Sequence, residues 1–150
     1  MFQILLALHL LFAVFAIGPL AHAATTASRG LRRADPAATA ASARMLRIYS
    51  YASVLVIVVG FALMSLKDPD HSGSHVGEFG QTWIWLSLLL WAVAMGLTLA
   101  VLAPSLDHAT TAITSSTSTA QLTARVAAAG GLVGLIFAAI VFLMVFQPGH

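Results

Sequence analysis

The chain has 150 residues, of which 59% are hydrophobic and only 8% charged, with a net charge of +2. That balance excludes an ordinary soluble globular domain, and the lack of cysteine excludes disulfides and thiolate metal sites. The pI near 9.7 is no nucleic-acid signal, because five of the seven basic residues, Arg29, Arg32, Arg33, Arg44 and Arg47, share one connecting segment and read as a topology determinant.

Four apolar stretches, at about residues 3 to 23, 49 to 66, 82 to 104 and 126 to 147, contain no Asp, Glu, Lys or Arg. A hydrocarbon core of roughly 30 Å is crossed by about 20 helical residues, and a helix satisfies its own backbone there. The predicted fold is all-α, a four-helix transmembrane bundle in a single polytopic domain over residues 1–150. Loops of about 20, 15 and 20 residues connect the spans and leave no room for a soluble catalytic domain.

The first stretch ends in Ala21-His22-Ala23, which has the small-x-small form of a signal-peptidase site. No positive region precedes the apolar run and the arginines follow it, so a retained helix with its N-terminus outside is the expectation. The Arg-rich segment then lies in the cytoplasm, and the segment 67–81 and the C-terminus lie outside. That outer segment carries Asp68, Asp70 and Glu78 against Lys67. Trp83 and Trp85 open the third span as an interfacial belt. The fourth carries Ala127-x-x-x-Gly131, Gly130-x-x-x-Gly134 and Gly134-x-x-x-Ala138. Small residues at this spacing let helix backbones approach closely. Such a ridge suits packing within the chain or self-association through Gly130, Gly131 and Gly134.

An internal repeat is also predicted. Pro19-Leu20-Ala21-His22-Ala23-Ala24-Thr25-Thr26-Ala27 resembles Pro104-Ser105-Leu106-Asp107-His108-Ala109-Thr110-Thr111-Ala112. Ala43-Arg44 opens the second span as Ala124-Arg125 opens the fourth. Two parallel helical hairpins would then be related by an axis along the membrane normal.

A charge held in hydrocarbon is costly and marks function, yet the spans hold no carboxylate, which disfavours an ion-coupled carrier. Ser53, Ser87 and Thr98 are the main deep hydroxyls, and a channel or carrier formed by oligomerisation would need them to line one lumen. No nucleophile elbow, HExxH or phosphate loop is present.

Histidine supplies the remaining candidates. His9 lies inside the first span, where a neutral imidazole can bond to a carbonyl or a side chain across the helices. A His9/Met95 pair is also conceivable as ligands to haem or copper. His22 and His108 lie at the inner ends of the first and third helices, where they suit the macrodipole; the sharper reading is a two-histidine haem or metal site with Asp107 beside it. His71 and His75, at i and i+4, would bind Zn or Cu if that segment were helical, but Gly73, Gly77 and Gly80 favour a polar loop.

His9 to Val14, Gly18-Pro19 closing the first helix, an Arg-rich loop with Asp35, Ala43 to Arg47 at the start of the second helix, and Gly60-Phe61-Ala62-Leu63 at its exit resemble the DUF2269 family of predicted bacterial integral membrane proteins. The resemblance covers essentially the whole chain. It implies a four-helix protein of the bacterial cytoplasmic membrane and brings no assigned activity. The function expected is that of a non-enzymatic subunit or accessory factor of a larger membrane complex, with no cofactor required. A haem- or copper-binding redox module is the competing class, and an oligomeric solute channel the third.

Overall fold

The computed structural model describes residues 1–66 and 80–147. Four long helices account for nearly all of them: α1 (Phe2–Arg32), α2 (Pro36–Met64), α3 (Thr82–Thr114) and α4 (Ala120–Phe146). All four are long and apolar enough to cross a membrane. Among the described residues there is no strand.

Each apolar stretch sits inside a longer helix, so the polar segments expected as 20-residue loops are largely helical. At 31 and 33 residues, α1 and α3 are roughly 46 to 50 Å long at 1.5 Å per residue, well beyond the ~30 Å hydrocarbon core. Ala-rich composition permits this extension, because alanine has the best helix propensity and buries no polar group. Nor does Pro19 close the first helix. A five-residue π segment, Ala13–Ile17, precedes Gly18-Pro19 in α1, and another, Thr98–Leu102, precedes Ala103-Pro104 in α3. A proline inside a helix lacks its N–H and crowds the carbonyl four residues back. Widening the preceding turn accommodates both defects, and the helix runs on.

Two short connections, residues 33–35 and 115–119, lie at one end of the helices, here called the turn end. They share a device. Ala34 and Ser116 adopt positive φ of 50° and 55°, and each is followed by the paired bonds of a Schellman motif. The Ala34 N–H donates to Leu31 O and that of Asp35 to Gly30 O, both at 3.0 Å; those of Ser116 and Thr117 donate to Ile113 O (3.1 Å) and Ala112 O (2.8 Å). Asp35 then caps α2, its Oδ1 accepting from the Ala38 N–H at 3.0 Å with Pro36 in the first turn.

The core lies from the middle of the helices toward the turn end. Leu20, Leu46, Leu102, Leu106, Val126 and Val133 are fully buried there. Close backbone approach sets the helix spacing. Gly130 faces the carbonyl oxygen of Ala24 so closely that no Cβ fits, and a Cβ on Gly30 would meet Thr39 Oγ1 at 2.8 Å. Packing partners exchange along the molecule. Phe2–Phe12 of α1 rests on α2, and Gly18–Thr26 shifts toward α4; Thr82–Leu97 of α3 rests on α4, and Ala103–Thr114 on α2. The opposite, terminal end is looser, and Phe2–Phe12 has no buried residue.

Candidate functional site

The deep polar groups gather where α2 faces α1 and α3. His9 reaches across from α1, its Nδ1 at 3.1 Å from the carbonyl oxygen of Val56. A carbonyl only accepts, so Nδ1 carries the proton and Nε2 is the ring's remaining hydrogen-bonding atom. Gly60, one turn further along α2, makes room for the imidazole: a Cβ there would lie 3.1 Å from His9 Cε1. Without a side chain at residue 60 the ring can lie against the α2 backbone.

Deeper between α2 and α3, the Ser53 hydroxyl sits 2.7 Å from Ser50 O and 3.5 Å from Met95 Sδ, and it accepts from the Trp91 indole N–H at 3.1 Å. Thr98 satisfies itself on Ala94 O at 2.8 Å. The hydroxyls of Ser50 and Ser87 are buried without a hydrogen-bond partner among the described residues.

A cavity of about 280 Å³ opens among the four helices on the terminal side of this cluster. Its wall is overwhelmingly apolar and includes Gly60, Trp83 and Trp91. His9 and the orphaned Ser87 both line it. Trp83 donates its indole N–H to Gln81 Oε1 at 3.0 Å, which orients one of the lining side chains.

The ligands expected for haem or copper all lie on α1 and α3. The hydrogen bonds of both His9 and Met95 go to α2, to Val56 and Ser53. His22 and His108 are exposed, on α1 and α3, and the His22 carbonyl accepts from Thr26 Oγ1 at 2.7 Å. Asp107, expected beside His108 as a third ligand or as a partner that orients the histidine, has its carboxylate on the Arg47 guanidinium. No three His, Asp or Glu side chains converge among the described residues. His71 and His75 lie outside those residues. Of the glycine ridge, Gly130 and Gly134 are used inside the chain against Ala24 and Thr25, and Gly131 alone faces outward.

Ser87 and Gly60 carry the site's geometry, yet the sequence marks them only faintly. A lone serine in an apolar helix signals at most a deep hydroxyl, and a glycine reveals nothing about what crosses it.

The family described as a predicted integral membrane protein, DUF2269, matches residues 3–148. The chain belongs to the DUF2269 family. No curated protein and no protein of solved structure shows significant similarity to it. Membership in DUF2269 agrees with four apolar helices and makes this a multi-pass integral membrane protein in contact with the lipid bilayer. The His9 contact and the Gly60-Phe61-Ala62-Leu63 exit, two of the sequence features that suggested DUF2269, meet each other in the fold.

Proposed function

We propose that this chain is a non-enzymatic subunit or accessory factor of a larger complex in a bacterial cytoplasmic membrane. The observation that carries this reading is the bare terminal half of α1. No residue of Phe2–Phe12 is buried, and Ile4, Leu10, Val14 and Phe15 are each more than half exposed. A span held on one side only offers its other faces to a neighbouring helix. The deep hydrogen bonds support the same reading. His9, Ser53 and Trp91 tie helices to one another, and no charged side chain sits among them to couple an ion to a solute.

Orientation follows from charge. Arg29, Arg32, Arg33, Arg44, Arg47 and Arg125, six of the seven basic residues, lie near the turn end, which belongs in the cytoplasm with both termini outside. Two parallel hairpin copies are part of the proposal. The π segments 85 residues apart, the matching Schellman turns and the exchange of packing partners all support it.

Native mass spectrometry of the protein, extracted in mild detergent from its own membranes, tests the reading. An assembly containing this chain and another membrane protein is expected. A chain that always emerges alone, or with a haem-sized or copper-sized increment that vanishes on replacing His9, would overturn it.

A further inference from the structure

The wall of the cavity at the terminal end is mostly apolar, and His9, Ser87 and Gln147 are polar residues on it. Ser87 is 5% exposed and its hydroxyl has no partner among the described residues. A buried hydroxyl without a partner costs free energy, and natural structures keep such a group where something satisfies it. His9 lines the same space. Its Nδ1 proton is fixed on Val56 O, which leaves Nε2 an acceptor. Ser87 and His9 both belong to the lining, so a donor and an acceptor border one volume and complement a group that both accepts and donates, as a hydroxyl does.

The walls narrow the class further. Trp83 and Trp91 line the space together with the His9 ring, and flat aromatic surfaces favour an aromatic guest. The volume, about 280 Å³, falls just short of the ~300 to 1,000 Å³ of common small-molecule sites. It therefore suits a head group and not a whole lipid. The cavity is only partly enclosed, which leaves an exit for an apolar tail.

We propose that this cavity binds the hydroxylated aromatic head group of a membrane-soluble phenol or quinol, with Ser87 donating to the ligand hydroxyl and His9 Nε2 accepting from it. This goes beyond the accessory-subunit reading and does not depend on it.

The test uses the full chain in phosphatidylcholine nanodiscs and para-bromophenol, whose bromine quenches tryptophan in contact with it. Saturable quenching is expected. The methyl ether para-bromoanisole, which cannot donate to His9, should bind about fivefold more weakly, as should para-bromophenol to S87A. S87A removes a hydroxyl with no partner, so its melting temperature should match or exceed that of the parent, which separates lost binding from lost fold. Para-bromocyclohexanol should bind more weakly than the phenol. Equal affinities for the phenol and its ether, or an unchanged affinity in S87A, would overturn the hydroxyl site. An aliphatic alcohol binding as tightly as the phenol would overturn the aromatic assignment.

Discussion

The two ends of these helices solve opposite problems with the same amino acids. Toward the turn end, small residues bring backbones together: Gly130 lies on the Ala24 carbonyl, Gly30 on Thr39, and Leu46 and Leu106 are fully buried. Toward the terminal end, Gly60 creates space, and an imidazole fills part of it while a cavity takes the rest. Lipid tails are as apolar as leucine, so helix association depends on close packing. The turn end therefore supplies the cohesion, and the terminal end is free to be hollow. Stability and site are separated along the membrane normal.

The largest expected effect breaks the turn end. Gly130→Ala places a methyl group into the Ala24 carbonyl, which cannot move without shifting α1. Overpacking of this kind costs about 1 to 3 kcal/mol, read as a lower melting temperature in detergent. Gly131→Ala is the control. Nothing lies within 4 Å of its added Cβ, and alanine's helix propensity should make it neutral or stabilising by up to ~1 kcal/mol. Equal losses at both positions would show that the ridge packs elsewhere.

His9→Leu sharpens the other side of the comparison. It removes the bond to Val56 O, and a net loss of about 1 kcal/mol is expected. That loss should be smaller than that of Gly130→Ala, because Phe2–Phe12 contributes no buried residue to the packing. A larger loss would mean that cohesion is not concentrated at the turn end.

How far these features could be read beforehand depends on what carries them. The four spans were legible because hydropathy integrates over some twenty residues and tolerates local exceptions. The helical extensions were not: Ala24 to Arg32 and Pro36 to Arg47 are short of large apolar residues and read as loop, and Pro19 reads as a stop until a π turn absorbs it. His9 stands out as the histidine inside a span, and its place there predicts a bond across the helices to either a carbonyl or a side chain. That the carbonyl belongs to Val56 has no sequence signature, since every residue has one. Asp107 and Arg47 were both visible as charges, but their pairing across 60 positions follows only from the antiparallel approach of α2 and α3.

A smaller gain should come from relieving strain at the turns. Ala34 is exposed with φ at 50°, a left-handed conformation that costs a residue with a Cβ roughly 1 to 2 kcal/mol. Ala34→Gly is expected to raise stability by about 1 kcal/mol or less, because glycine also gains entropy in the unfolded chain. Ser116→Gly should behave in the same way, and thermal melts of the two variants compare the two turns directly. A gain at one turn and a loss at the other would count against their being equivalent copies.

The smallest effect belongs to the one ion pair found among the described residues. Arg47 and Asp107 are 44% and 50% exposed, so solvent screens them, and an exposed pair contributes ~0 to 1 kcal/mol. Asp107→Asn should lower the melting temperature slightly at low salt. The difference should disappear near 1 M salt, where the screening length falls to about 3 Å. A loss that persists at high salt would mean that the carboxylate acts through local packing or hydrogen bonding and not through charge. Disappearance would leave the turn end held by what its sequence favours most, backbones brought together by glycine and alanine.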